Sequence, residues 1–202
     1  MPDWDENSGQ LRRNLQRLIQ LAADHASARR RFALKEIKAW HVILMDSLKT
    51  DDPAFVGAFR GESGLEDVNI RVGPNLGVKV EKVAPALRRF EHLLQAKLAR
   101  LDREISPGTE PGNEALAMAV IELCAWVHAE WVRIHPFANG NGRIARLIAN
   151  GLAMRYGFPP FVQLRPRPGM GYGVAGAGAM QGNWKATVTV FHALLKEFLD
   201  KS

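Results

Sequence analysis

The segment running from His135 to Arg146, His-Pro-Phe-Ala-Asn-Gly-Asn-Gly-Arg-Ile-Ala-Arg, groups the residue types that act on phosphates. Histidine titrates near neutral pH and suits the removal of a proton from a hydroxyl. Pro136 disfavours helical backbone at the residue before it, which places His135 where a helix ends. Gly140 and Gly142 carry no side chains, so backbone N–H groups there can approach an anion closely. If a helix opens at that point, its free N–H groups and dipole favour phosphate. Asn141, between them, can add a side-chain amide hydrogen. Arg143 and Arg146 are three apart and present forked guanidinium groups suited to phosphate oxygens. A lone His before Pro is more often structural, and Gly-Asn-Gly is often only a turn. In this order the parts read as a base beside an anion cradle, which is the equipment of phosphoryl or nucleotidyl transfer from a nucleotide.

Helices must hold that loop on both sides. Upstream, Leu116, Val120, Leu123, Val127 and Trp131 recur at helical spacing, with Asn113 as a cap, and the density of apolar residues predicts a buried central helix. Downstream, Ile144, Leu147, Ile148 and Leu152 mark one helical face that Gly157 and Pro159-Pro160 terminate. Further helices are expected around Leu11 to Ala22, Phe32 to Leu48 (stopped by Asp51-Asp52-Pro53), Val83 to Leu101 (stopped by Ser106-Pro107-Gly108) and Val188 to Phe198. Between Phe55 and Val80 the pattern changes. Val68, Ile70 and Val72 alternate with polar residues, Gly73-Pro74-Asn75 is a turn signal, and Val78 and Val80 alternate after it, so a small hairpin is predicted. Residues 161 to 182 are rich in glycine and proline and receive no assignment. The expectation is one mostly α domain over 1–202. It has N-terminal helices at 1–50, a hairpin region at 55–80, core helices at 83–157 carrying the loop 135–146, and a C-terminal helical region at 161–202.

Composition excludes several classes. With 47% apolar and 24% charged residues the chain is ordinary for a globular protein. A single cysteine, Cys124, forms no internal disulfide and sits in an apolar run, where a buried inert thiol is expected. The opening residues are polar and acidic, unlike a secretory signal, and the run from Ala115 to Val127 is too short to span a bilayer, so a soluble, cytoplasmic protein without a membrane partner is expected. The net charge of +6 is concentrated in Arg12, Arg13, Arg17 and Arg29-Arg30-Arg31. A solvated helix face accounts for such a run, and no stacking or zinc motif accompanies it, so nucleic acid is not the expected partner.

The segment resembles the signature of the Fic (Fic/Doc) family, His-Pro-Phe-x-Asp/Glu-Gly-Asn-Gly-Arg-x-x-Arg, at every fixed position but one. Gly57-Ala58-Phe59-Arg60, followed by Val68-Asn69-Ile70, is similar to the segment leading into the family's β-hairpin flap, and Tyr172 to Gly182-Asn183 loosely resembles its later helical region. The resemblance extends over roughly residues 30 to 200 and is specific only at the motif. It implies a Fic-type helical domain with a hairpin flap, and an enzyme moving AMP from ATP to a Ser, Thr or Tyr hydroxyl of a protein. Carried over, His135 is the general base. Gly140, Asn141 and Gly142 hold the α- and β-phosphates, Arg143 binds phosphate and the leaving pyrophosphate, and Arg146 reaches the terminal phosphate. Ile70, Arg71 and Val72 belong to the flap that docks the target as an added strand. The residue at Gly142 favours nucleotidyl transfer, because family members acting as kinases tend to differ there.

Asn139 is the mismatch. The family usually has Asp or Glu there, binding Mg²⁺; an amide oxygen can still coordinate but brings no negative charge, so a weakened Mg²⁺ dependence is expected. The family's internal brake, Ser/Thr-x-x-x-Glu-Gly/Asn, has no convincing counterpart: Glu6 precedes an Asn but has Pro2 four residues earlier, and Ser106 to Glu110 is followed by Pro111. A separate inhibitory partner, as for a toxin held by a small antitoxin, an unusual brake, and no brake all remain open. Two other functions stand beside the adenylyltransferase: a weak or inactive nucleotide-binding or interaction module, motivated by Asn139, and transfer of another nucleotide or phosphate-linked group.

Overall fold

The computed structural model describes residues 8–169 and 171–201, so Pro2 and Glu6 lie outside the described residues. Helix α1, Gly9–Ser27, starts where the Ser8 hydroxyl accepts from Leu11 N–H, and it buries Leu11, Leu15, Leu18 and Ala22 on the expected face. Helix α2, Leu34–Met45, is shorter than the apolar spacing suggested. Phe32 precedes it and Leu48 follows it, both buried outside the helix. The chain turns at Ser47, with φ 56°, and Asn14 of α1 donates to the carbonyls of Leu44 and Asp46 at 3.1 and 2.8 Å. Those carbonyls are the ones a continuing helix would use, so the stop precedes Asp51-Asp52-Pro53. Pro53 instead opens a single 3-10 turn, Pro53–Phe55.

The hairpin exists but is shorter than expected. β1, Arg71–Val72, pairs antiparallel with β2, Asn75–Leu76, in the register Arg71 to Leu76 and Val72 to Asn75. The return strand is therefore not at Val78 and Val80. Gly77 N–H still donates to Ile70 at 3.0 Å, but Val78 N–H turns away to the Arg133 carbonyl at 3.3 Å. Val80 N–H is taken by the Asn69 side chain at 3.1 Å and opens the next helix.

Helix α3, Val80–Glu104, buries Val83, Leu87, Phe90, Leu94, Leu98 and Leu101, as the spacing predicts. Helix α4, Glu114–Ile134, is capped by the Asn113 side chain accepting from Leu116 N–H at 2.9 Å. Helix α5 is Asn141–Arg155, and it ends in a paired motif at Gly157, where Gly157 N–H donates to Met154 and Phe158 N–H to Ala153. Helix α6, Tyr172–Met180, lies in the stretch that received no assignment, and α7 is Lys185–Asp200.

α4 is apolar on most of its circumference, and a helix of that kind is stable only when surrounded. α3, α5, α6 and α7 pack around it, and α1 covers α5 and α2. By length and composition its 21 residues are enough to cross a membrane, more than the interrupted run suggested, yet here its core residues are buried among the other helices. Asp102 of α3 ties the far ends together, accepting from Arg29 at 2.6 Å, Arg155 at 2.5 Å and the Tyr156 hydroxyl at 2.9 Å. Burial would raise that carboxyl's pKa, but the bonds from Arg155 and Tyr156 and the two arginine charges outweigh burial and hold it below its ordinary value. Part of the basic N-terminal run is thereby structural: Arg29 also donates to the carbonyls of Ile105 and Ser106.

Candidate functional site

His135 ends α4, as Pro136 requires, in a left-handed conformation, φ 54° and ψ 56°. For a non-glycine residue this is a sparsely populated region that persists only where the surroundings enforce it. Arg60 supplies much of that enforcement. It is 1% exposed, and its Nε donates to the His135 carbonyl at 2.7 Å, while its backbone N–H donates to Pro136 at 2.7 Å. Its remaining donors reach the carbonyls of Ile134 at 2.9 Å, Val68 at 3.1 Å and Val78 at 2.8 Å. One guanidinium thus joins the end of α4 to both sides of the hairpin. The sequence singled out Arg60 only as part of a resemblance.

The imidazole Nδ1 lies 3.1 Å from the Val132 carbonyl. A carbonyl only accepts, so Nδ1 carries the hydrogen and Nε2 keeps its lone pair. Burial, opposed by the Val132 contact and assisted by the Arg60 charge, lowers this histidine's pKa to about 4. At neutral pH it is an uncharged base.

The loop after it is held from inside. Phe137 is fully buried and stacks on His41 with ring centroids 3.8 Å apart. The Asn141 side chain closes back on Phe137, accepting from its N–H at 3.0 Å and donating to its carbonyl at 2.8 Å. One of the two Asn141 amide hydrogens is thus used within the loop, while its backbone N–H is offered at the start of α5. His41 completes the support. Its Nδ1 accepts from Gly57 N–H at 3.0 Å, which leaves the hydrogen on Nε2 to donate to the Asn139 carbonyl at 3.1 Å. Burial is the main reason its pKa is lowered to about 4. Nothing in the sequence spacing pointed to His41, because its partners lie in distant segments.

Gly140 precedes α5 with φ 75°, and a Cβ there would lie 3.0 Å from Leu44 and 3.2 Å from His41. Only glycine meets both conditions. No side chain caps α5, which leaves its first N–H groups, on Asn141 and Gly142, available to an anion.

A cavity of about 460 Å³ lies in front of these groups. It brings together every site residue read from the sequence: His135, Asn139, Gly140, Asn141, Gly142, Arg143 and Arg146 from the loop and α5, and Ile70, Arg71 and Val72 from the flap. His128, Arg167 and Tyr172, which the sequence did not mark as site residues, also line it. Arg146 donates to the Tyr172 hydroxyl and to the Leu164 carbonyl, each at 3.0 Å. Among the described residues the lining contains four arginines, counting Arg71 and Arg167, and no Asp or Glu. Such a wall focuses positive potential and suits a polyphosphate.

The same composition bears on Mg²⁺. The ion prefers octahedral oxygen ligands, commonly a carboxylate with phosphates and water. Asn139 Oδ1 already accepts from Gly140 N–H at 2.6 Å, and the atom left buried without a hydrogen-bond partner is Nδ2, a donor. Among the described residues no three His, Cys, Asp or Glu side chains gather into a metal site. An amide at position 139 and a lining without Asp or Glu give a magnesium ion no charged ligand from the protein.

Comparison with known proteins bears on the family and the fold. A family model described as the Fic/DOC family matches residues 31–153. The protein adenylyltransferase Fic of Drosophila virilis is 34% identical over 111 residues, covering 55% of this chain and 18% of that protein. Protein adenylyltransferase fic-1 of Caenorhabditis briggsae is 51% identical over 50 residues, covering 25% of this chain and 10% of its own. The chain therefore spans less than a fifth of the length of these relatives. Among solved structures, the BepC protein of Bartonella tribocorum with bound AMPPNP superposes with a TM-score of 0.63 at 18% identity, covering 91% of this chain and 85% of that one. Fic-1 of C. elegans superposes with a TM-score of 0.56 at 22% identity, covering 95% of this chain and 50% of that one. At these identities the superpositions show the fold.

Proposed function

This chain belongs to the Fic/DOC family, and from that premise we propose that it is a protein adenylyltransferase, moving AMP from ATP onto a hydroxyl of a protein. The carrying observation is the pairing, in one cavity, of a neutral His135 whose Nε2 is free to take a proton with the open N-terminus of α5 and its arginines. The relatives named as protein adenylyltransferases and the AMPPNP bound to a protein of the same fold support this donor.

In this reading the acceptor oxygen attacks the α-phosphorus while its proton passes to His135 Nε2. The bond from the α-phosphorus to the bridging oxygen breaks, and pyrophosphate leaves with the electron pair. The N–H groups at the start of α5 and the Arg143 and Arg146 side chains offset the charge that develops. The flap around Ile70, Arg71 and Val72 borders the cavity and offers strand edges on which an extended acceptor segment is held. Because no carboxylate lines the cavity, cationic side chains carry most of the neutralisation in this reading.

ATP labelled on the α-phosphate, and separately on the γ-phosphate, incubated with the chain and a protein mixture, tests the proposal. Label transfer from the α-position alone is expected. Transfer from the γ-position would make the chain a phosphotransferase. A second reading, motivated by Asn139, is a module that binds nucleotide without transferring it; it predicts ATP binding with neither label moved.

A further inference from the structure

Arg167 lies outside the His135–Arg146 segment, on the connection between α5 and α6, yet it lines the same cavity. Its guanidinium carbon is 5.5 Å from the centroid of the Tyr172 ring, and that of Arg146 is 5.6 Å from the same ring. Two cations share one aromatic plate. Among the described residues Arg167 has no hydrogen bond or ion pair of its own, and no carboxylate lines the cavity to separate the two charges. Like charges brought together in this way repel, and a bound anion would offset that repulsion.

The plate itself is fixed. The Tyr172 hydroxyl meets His128 Nε2 at 2.6 Å and accepts from Arg146 at 3.0 Å. His128 is fully buried, and burial, then the charges of Arg146 and Arg167, push its pKa down to about 3. His128 therefore adds no third positive charge at neutral pH. His128 precedes His135 by seven residues on α4, about 10 Å along the axis. The Arg146–Arg167 pair is thus tied, through Tyr172, to a point on α4 about two turns before the base. If the α-phosphorus reacts beside His135, groups that far away meet a part of the donor that is not transferred.

We propose that Arg167, seated on Tyr172, joins Arg146 in binding the distal phosphates of the nucleoside triphosphate, the part that departs as pyrophosphate. This rests on the adenylyl-transfer reading for its orientation, but its ligand chemistry, a polyphosphate, is independent of transfer.

Calorimetric titration of the full chain with ATP, AMP and inorganic tripolyphosphate tests it, using the wild type, Arg167→Met and Arg167→Lys. A charge-assisted contact to phosphate corresponds to roughly a 10-fold or greater loss of affinity. Arg167→Met should weaken ATP and tripolyphosphate by about that factor and leave AMP within about 2-fold, with Arg167→Lys in between. Equal losses for ATP and AMP would overturn the proposal in favour of a contact to the nucleoside, and unchanged ATP affinity would overturn it outright. Discrimination of tripolyphosphate by Arg167 in a chain that transfers nothing would uphold the subsite and defeat the functional reading alone.

Discussion

The Arg60 side chain donates to the carbonyl of His135 at 2.7 Å, and through that bond a buried cation fixes the backbone of the proposed general base. The same guanidinium reaches Val68 and Val78 on the two sides of the hairpin, so the base and the flap share one anchor. Arg60→Met removes the donors and leaves buried carbonyls unpaired. Hydrogen bonds from charged groups contribute about 1.5–3 kcal/mol each, and losing four of them outweighs the strain that His135 would release, so a loss of at least about 3 kcal/mol in urea unfolding is expected. A loss below about 1 kcal/mol would show that the left-handed His135 does not depend on Arg60.

The histidines set an acid limit. His41, His128 and His135 are held neutral in the fold, with pKa values lowered mainly by burial to about 4, 3 and 4. In the unfolded chain they titrate near 6.5, so between pH 6.5 and 4 the unfolded state binds more protons. Stability is then fully present above about pH 6.5 and is lost as pH falls through that window. The midpoint of thermal unfolding should drop steadily from pH 7 to pH 4.5. Over the same range kcat/KM should hold until the limb set by His135 near pH 4, wherever the fold survives; an acid limb at 6.5 would mean that His135 is solvated or is not the base.

Gly140 carries a backbone requirement and a steric one. Its φ of 75° costs an L-residue roughly 1–2 kcal/mol, and an added Cβ would press on Leu44 and His41. Gly140→Ala should lower stability by about 2 kcal/mol or more and weaken ATP binding, because the start of α5 moves with it. Unaltered ATP affinity in a folded variant would contradict the role given to that helix terminus.

Asn139 offers a test of the missing carboxylate. Wild-type affinity for ATP should be nearly the same in EDTA and in excess Mg²⁺. Asn139→Asp should make binding depend on Mg²⁺, because a carboxylate beside the phosphates repels them until an ion intervenes. A wild type that binds ATP only with Mg²⁺ would show that the ion is held by groups other than those named here.

Much of this was legible in the sequence, and the reasons differ by element. Helices such as α3 announced themselves through apolar spacing, because burial on one face writes itself into composition. The loop was legible because its chemistry is local: base, glycines and arginines lie within a few residues. The end of α2 was not, since Asn14 of another helix decides it. The hairpin register was misplaced because Val78 and Val80 alternate like a strand but are claimed by α4 and by the cap of α3. His41, His128, Tyr172 and Arg167 were missed as site residues for a shared reason: each acts through partners distant in sequence. The sequence did not show that the Asn141 side chain also braces the loop, because only the fold brings its amide onto the backbone of Phe137.

Intact-mass measurement of the purified chain and of His135→Ala, each incubated with ATP and with candidate acceptor proteins, tests the central claim most directly. The expected result is an added mass equal to one AMP on the chain or an acceptor with the wild type and none with His135→Ala, while both bind ATP equally. An AMP adduct that persists in His135→Ala would contradict the assignment of the base. ATP binding with no adduct in the wild type, across the acceptors tried, would contradict the transferase itself.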